Sequence, residues 1–496
     1  MLKQRFLVQF GSGAFLKFLG MCSTIIVARY AGPEVLGQVA YGMAYASLFT
    51  MITGLWGTPH IKIISEGTPI GAAMGVFVRL KLLTILLFLA LGFSWVHFLQ
   101  DIFLEVSFSP KQLIIIDLSL LTVVGHQLTK FGNTTFQAKM EQVKANIPDL
   151  IKGILFQLGR VLVVLLGSAA VGLIAWDLVT SLISALFTLK LLRRLPIERF
   201  NKTLAMHYWS YAKPLILFSI VTVSVKFLDK VLLKELTSET ELGFYTVAFS
   251  LGGGLLMIKS QIGVTFFPLF ARFIAEGSNE RLADVVSKYL NLVLFIVFPI
   301  ISGLIIASKQ IIIVLYGIQY EPSVASFIIL IISSFVTLLG QPFGNIISGA
   351  GKFYQLTTVN TIKAIIFFIA LYFLVSDDFL SLGSIGLSLA VLLGQIVEFI
   401  TFQVYASRIS SGEFWRKTHV KSILILVILL TSMWTQSMFG FSNNLWSFVF
   451  AFIITIVIFV VLSFSGVINQ KLIDDLKELK SFKKLKIYTA KEFNKS

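Results

Sequence analysis

The chain has 496 residues, of which 56% are apolar and only 13% are charged, with a mean hydropathy of +0.87. A soluble globular chain is about 25% charged, and fourteen membrane spans of about 23 residues leave only about 174 for loops and tails, so a separate soluble domain of about 100 residues or more is excluded. The 41 Lys and Arg outnumber the 25 Asp and Glu, giving +16 and a pI near 9.7. A single cysteine, Cys22, excludes an intrachain disulfide and a Cys-based zinc site. The apolar stretch after Met1–Phe6 is not closed by a small-x-small cleavage site, and it reads as an uncleaved first helix.

Apolar runs bounded by charge or by Gly and Pro predict spans over 7–29, 36–57, 74–98, 111–136, 147–168, 171–191 and 210–233. They continue over 242–266, 286–308, 324–347, 355–375, 382–406, 420–439 and 444–466. With both termini in the cytosol, about 25 basic residues fall on the cytosolic side. About four, Arg29, Lys111, Lys234 and Lys309, fall outside. That bias explains the pI without nucleic acid, and it orients the chain.

The second and eighth spans open on Leu36-Gly37 and Leu242-Gly243. At their inner ends stand Lys62-Ile63-Ile64-Ser65-Glu66-Gly67 and Arg272-Phe273-Ile274-Ala275-Glu276-Gly277, each after a proline, Pro59 or Pro268. Two matches in order at nearly one offset mark an internal repeat of six spans. An even number of spans gives both copies one orientation, the parallel type of transporter repeat. The fold expected is an all-α polytopic membrane protein of about 14 transmembrane helices. Its N-lobe covers 1–191, a basic cytosolic linker 192–209 and the C-lobe 210–406. Two extra helices follow within 420–466, then a basic tail over 467–496. The leucines of that tail, Leu472, Leu476 and Leu479, fit either an amphipathic helix on the anionic inner surface or a solvated tail.

Arg29-Tyr30-Ala31-Gly32-Pro33-Glu34-Val35-Leu36-Gly37 and Phe227-Leu228-Asp229-Lys230 carry a family resemblance. So do Leu242-Gly243-Phe244-Tyr245-Thr246-Val247-Ala248 and Leu315-Tyr316-Gly317 with Tyr320. On these residues the chain resembles the polysaccharide (O-unit type) flippases of the multidrug/oligosaccharidyl-lipid/polysaccharide exporter superfamily. The resemblance implies two six-helix lobes around a central cavity in a cytoplasmic (inner) membrane. It also implies export of a prenyl-(pyro)phosphate-linked oligosaccharide by alternating access, with membrane lipids and other glycan-assembly proteins as partners. A monomer without cofactor, coupled to H+ or Na+, is the expectation.

Ionisable groups at bilayer depth cost about 2.5–3.5 kcal/mol on insertion scales and point to a cavity or a partner. Lys17 shares a face with Gly13, Gly20 and Thr24. Thr122, His126, Lys130 and Asn133 share another, and Lys152 and Arg160 a third. Lys226, Asp229 and Lys230 stand together on span 7. A pyrophosphate is satisfied in both charge and hydrogen bonds by Lys and Arg, so Lys17, Lys130, Arg160, Lys226 and Lys230 are the candidate anion path. The alternatives stay open. Lys152, Lys213, Lys259 and Lys363 are placed to snorkel to head groups, Lys226 or Lys230 to pair with Asp229, and His126 to pack through a hydrogen bond. Asp229 and Glu398 are the candidate coupling or gating acids, and Thr337, Gln341 and Asn345 are candidates for sugar contacts. Helix–helix hydrogen bonding is the competing use of such polar residues.

Gly349-Ala350-Gly351-Lys352 is followed by Phe353 and is no Walker A loop, and no His-Glu-x-x-His occurs. A membrane glycosyltransferase or polymerase would need a place for catalytic acids, and the only paired acids expected outside are Asp377-Asp378. A non-enzyme is therefore expected. The closer rival is a multidrug exporter of the same superfamily, against which the excess of internal cations counts.

Overall fold

The computed structural model describes residues 2–100, 102, 108–139, 141–254, 270, 272–293 and 297–409, and every regular element among them is helical. The expected spans 13 and 14, the basic tail, Lys259 and Pro268 lie outside the described residues. Helix α1 (Leu2–Leu48) is broken at Gly32, which has φ 81°, and at Pro33, which lacks an N–H. Expected spans 1 and 2 therefore join at a kink rather than through a loop. After α2 (Thr50–Thr53) comes α3 (Gly57–Ser65), so expected span 36–57 is interrupted. The carbonyls freed there find donors: Thr53 O accepts from Lys81 Nζ at 2.6 Å and Met51 O from Ser219 Oγ at 3.0 Å.

Helix α4 (Ile70–Ser94) continues through a π-turn at Trp95–Leu99. Helix α5 (Pro110–Ala138) starts on a Ser109/Gln112 capping box with Pro110 in its first turn. Helices α6 (Gln142–Leu165) and α7 (Ala170–Leu192) follow, and Asn201 caps α8 (Lys202–Ala212) by accepting from the Leu204 N–H at 3.0 Å. Helix α9 (Leu215–Val223) passes through a π-turn at Ser224–Leu228 into α10 (Asp229–Leu236), and α11 (Glu239–Gly252) follows. The later helices are α12 (Asn279–Leu292), α13 (Phe298–Ile306), α14 (Ser308–Tyr316), α15 (Ser323–Gly349), α16 (Phe353–Val375) and α17 (Gly383–Ser407). Among the described residues, seven helical stretches are long and apolar enough to cross a membrane: Phe15–Leu48, Ile70–Leu99, Pro110–Ala138, Ala170–Leu192, Ser323–Gly349, Tyr354–Val375 and Gly383–Ser407.

The chain forms two compact units. The first is Met1–Leu251 with Ile312–Phe327 and Ala364–Leu393; the second is Gly252–Ile311 with Ile328–Lys363 and Gly394–Ser496. In the first, α5 packs on α7, α6 and α1, and α6 lies against α1 and α7. The core at one end of this unit gathers Trp56, Ile63, Phe77, Phe131, Phe136 and Tyr208. His60 stacks on Phe77 at 3.7 Å within it, bonds Tyr208 OH through Nδ1 at 2.7 Å and Thr135 Oγ1 through Nε2 at 3.2 Å. Burial pushes its imidazole down to about 3, so His60 is neutral and fixes α8 to α3.

The repeat seen in the sequence has a local counterpart. Glu66-Gly67 and Glu276-Gly277 each close a helix with the same bonds: the Glu N–H to the basic residue four before it (3.0 and 2.9 Å), and the Gly N–H three back (3.0 and 3.1 Å). Both glycines have positive φ, 92° and 66°. In each copy the basic residue pairs with the Glu, Lys62 with Glu66 at 3.4 Å and Arg272 with Glu276 at 2.7 Å. Tyr211 and Lys62 hold Glu66 below the usual carboxylate range by hydrogen bonding, and Arg272 does the same to Glu276.

The two Leu-Gly copies meet each other inside the first unit. A Cβ on Gly37 would stand 1.7 Å from Glu239 O, and a Cβ on Gly243 1.9 Å from Pro33 O. Only glycine allows this backbone-to-backbone approach. Around it, Gln38 and Gln112 donate to the Glu239 carboxylate at 2.7 and 3.1 Å, and the Tyr41 hydroxyl donates to Glu235. Gly37→Ala and Gly243→Ala are each expected to destabilise by about 1–3 kcal/mol through overpacking, whereas Gly303→Ala, with open space at its Cβ, leaves stability unchanged or raises it. Thermal melts in detergent check this contrast. For His60 the unfolded state takes up a proton near 6.5 and the folded state only near 3, so stability is full above pH 6.5 and falls as pH drops through that window. His60→Gln is expected to flatten that part of the Tm-against-pH curve.

Candidate functional site

Helix packing in the first unit turns one face of α5 and α6 toward α7, and the ionisable residues on those faces converge. Asp177 of α7 stands 3.1 Å from Lys152 Nζ of α6 and 3.6 Å from His126 Nε2 of α5, and Lys152 also bonds His126. Lys152 therefore turns to an internal carboxylate rather than to head groups, and His126 packs through polar contacts. Two turns along α6, Arg160 donates to Thr24 Oγ1 and Gln157 Oε1 at 3.4 Å each and lies over the Phe156 ring at 5.3 Å. Both acceptors are neutral and distant for a guanidinium. Arg160, Asp177, Phe156 and Met43 line a small pocket between α1, α6 and α7.

Lys17 stands on the α1 face that presents Gly20 and Thr24 to Gln157 and Arg160. It is exposed and has no hydrogen bond or ion pair to any described residue. Lys130 of α5 is within electrostatic range of Lys226, Lys152 and Asp149, and Lys81 of α4 is within range of Lys130. Asp149 is engaged by Asn133 at 2.6 Å. Lys81 is buried, held by Thr53 O and by Gln127 Oε1 at 2.8 Å, both neutral. Lys226 is exposed, 5.1 Å from the Phe227 ring. Lys81, Lys130 and Lys226 thus form a local excess of positive charge, Asp149 being the acid that acts on Lys130 among the described residues.

Lys230 stands apart in its pairing. Its Nζ is 3.0 Å from the buried Asp229 carboxylate and 2.9 Å from Lys226 O, with Phe249 and Tyr245 beneath it. This is the Asp229 salt bridge that the sequence offered. In the second unit Glu398 of α17 pairs with Lys363 of α16. With its amide nitrogen turned to Glu398 (2.6 Å) and Thr337 (2.9 Å), Gln395 accepts from Lys363 at 2.8 Å. Lys363 is therefore a partner of Glu398, not a snorkelling residue. Gln341 donates to Asn345 Oδ1 at 3.0 Å along α15, and Asn345 is buried. The candidate residues fall into four groups: Arg160 facing the α1 side that also carries Lys17, Lys130 with Lys226, the Asp229–Lys230 pair, and the Glu398 cluster with Thr337. Sequence reading passed over Lys81 and Asp149. The signal was present, a lysine inside the apolar run 74–98 and an aspartate at the start of the run 147–168.

Residues 26–325 match the model of a family described as polysaccharide biosynthesis protein. The chain belongs to this family. The chain is 21% identical over 216 residues to the probable low-salt glycan biosynthesis flippase Agl15 of Haloferax volcanii, over 42% of this chain and 44% of that one. It thus spans under half the length of this curated relative. Its fold is similar to that of the lipid II flippase MurJ, a structure solved in an inward closed conformation, with a TM-score of 0.66 and 18% identity, covering 94% of this chain and all of that one. An inward-facing multidrug resistance MATE family transporter of the MOP superfamily has a TM-score of 0.65 and 13% identity, over 80% of this chain and 96% of that one. The sequence resemblance to polysaccharide flippases is borne out. The relatives are flippases and transporters, not enzymes, and the protein is a multi-pass membrane protein.

Asp177 is the acid that links α7 to α6 and α5, through Lys152 and His126. Removing one partner of a buried pair costs about 3–5 kcal/mol because the other charge is stranded. Asp177→Asn is expected to lower the melting temperature sharply, and adding Lys152→Met to that variant to recover part of the loss. A double-mutant cycle of thermal melts in detergent measures the coupling.

Proposed function

We propose that this protein carries a prenyl-(pyro)phosphate-linked oligosaccharide from the inner to the outer leaflet by alternating access. The observation that carries the reading is the excess of positive charge on Lys81, Lys130 and Lys226 over the nearby Asp149, joined by Arg160, whose hydrogen-bond acceptors are neutral and which shares its pocket with the already paired Asp177. Like charges gathered in a low-dielectric surrounding repel one another, and a multivalent anion between them turns that cost into binding. A pyrophosphate supplies several acceptor oxygens and fits Lys and Arg together. Lys17, on the face shared with Thr24, extends the same path, and the Asp229-paired Lys230 becomes available to the anion when that bridge opens.

Two six-helix lobes, with both termini cytosolic, would move about the Gly37–Gly243 contact, which closes the outer end and separates when the cavity opens outward. Asp229 and Glu398 are the coupling or gating acids of this cycle, each held in one state by a lysine and free to take H+ or Na+ in another. Thr337, Gln341 and Asn345 offer hydrogen-bonding groups for sugar hydroxyls. Export of cationic drugs, the reading suggested by likeness to the multidrug transporter, meets repulsion from the same lysines.

Native mass spectrometry of the protein purified in mild detergent is the test. A prenyl-phosphate glycan should be retained, and Lys130→Ala with Lys226→Ala should lower retention by about tenfold or more, as expected for loss of charge-assisted bonds. Retention that ignores these changes removes the lysines from the site and leaves the substrate. Binding of cationic drugs with no glycolipid overturns the reading.

A further inference from the structure

We propose that residues 193–213 form an interfacial strap whose docking partner is the anionic phospholipid of the membrane that this chain spans. From Lys190 to Lys213 there are six basic residues, Lys190, Arg193, Arg194, Arg199, Lys202 and Lys213, against the single acid Glu198. Helix α8 has two contrasting sides. Leu204, Ala205, Tyr208, Tyr211 and Ala212 turn inward onto the core, Tyr208 and Ala212 fully buried. Lys202, Met206, Trp209 and Lys213 form an outward stripe at helical spacing, with Met206 59% exposed and Trp209 47% exposed, one side of its ring resting 6.1 Å from the buried Trp56. That stripe has an apolar middle and a lysine at each end, the pattern of a helix lying at the bilayer interface with its cationic ends reaching the head groups.

The stripe does not stop at the end of α8. Beyond Pro214 it runs on to Leu217 and Ile220, exposed on α9, an apolar helix without a buried residue among those described. On the other side Ile197 and Phe200 are exposed between Arg194, Arg199 and Lys202. Met206 and Trp209 are thus continuous with an apolar membrane-helix surface, which favours the bilayer over a soluble protein as the occupant. The basic excess selects an anionic leaflet, since each Lys or Arg near such a surface strengthens association by about fivefold.

The strap is fastened to the helices it crosses. The Glu198 N–H donates to Gly71 O at 3.0 Å, and Arg79 donates to Glu198 O at 3.3 Å. The Tyr211 hydroxyl donates to Glu66 at 2.7 Å, and Tyr208 is bonded to His60. Lipid bound along the stripe therefore fixes the turn between α3 and α4. The inference rests on the membrane-spanning fold and stands whatever the transported substrate is.

Cys22 is the only cysteine and is easily replaced. Cys22→Ser with Met206→Cys, labelled with an environment-sensitive fluorophore, is reconstituted into vesicles of equal parts phosphatidylcholine and phosphatidylglycerol, with one or the other lipid brominated on its acyl chains. Brominated phosphatidylglycerol should quench the label well beyond brominated phosphatidylcholine, reporting a local enrichment of about fivefold or more. Neutralising the strap by Arg193→Gln, Arg194→Gln and Lys202→Gln, all exposed, should abolish the preference and leave the quenching itself. A label at Trp209→Cys in the same background should behave alike, and size-exclusion in detergent confirms that each variant folds. Equal quenching by both lipids, unmoved by charge removal, overturns the anionic docking surface. No quenching by either lipid means that protein or water covers the strap, and overturns it entirely.

Discussion

A polar group in hydrocarbon has no water to turn to, so each charge and each freed carbonyl must be satisfied inside the protein. That constraint organises the described residues. Asp177 collects Lys152 and His126 and thereby joins three helices. Lys81 reaches the carbonyl of Thr53 where the helix after Leu48 is interrupted, so a cation makes the break tolerable. Lys363 and Glu398 satisfy each other in the second unit, with Gln395 and Thr337 completing the set. Once these pairs are subtracted, Lys130 and Lys226 keep an excess of positive charge, with Asp149 as the acid acting on Lys130.

The glycines answer a different demand. Helices that approach until backbone meets backbone need residues without a Cβ, and Gly37 and Gly243 each lie against the other's neighbourhood, at Glu239 and Pro33. Two copies of one short motif become a single contact. The Glu-Gly copies repeat a local conformation: the same helix-ending bonds, the same left-handed glycine and the same ion pair four residues apart. Such turns are encoded within a few residues, which is why both were readable as a pattern.

Much of the fold was legible because hydropathy over about 20 residues is a strong signal: α4, α5, α6, α7, α15, α16 and α17 fall close to the runs read from the chain. The interruptions were not. Nothing in 36–57 announces a break after Leu48, since the cost of the open carbonyls is met by Lys81 and Ser219, which are distant in sequence. Likewise the stripe of His126 and Lys130 was visible on α5, but the pairing of His126 with Asp177 was not, because it is set by helix rotation. Lys152 and Lys363 looked free to reach head groups for the same reason.

By itself the sequence determined that this protein crosses a membrane many times, that it carries few compensating acids among many cations, and that it holds a repeated motif with glycine at fixed places. These follow from composition, periodicity and local turn chemistry, which act over a handful of residues. Only the tertiary structure decided which cations are neutralised and which are not, that the two Leu-Gly motifs touch, and that the basic linker lies strapped to α3 and α4. Those outcomes depend on which helix faces meet, and the free energy of a charge in a low dielectric is set by its neighbours in space.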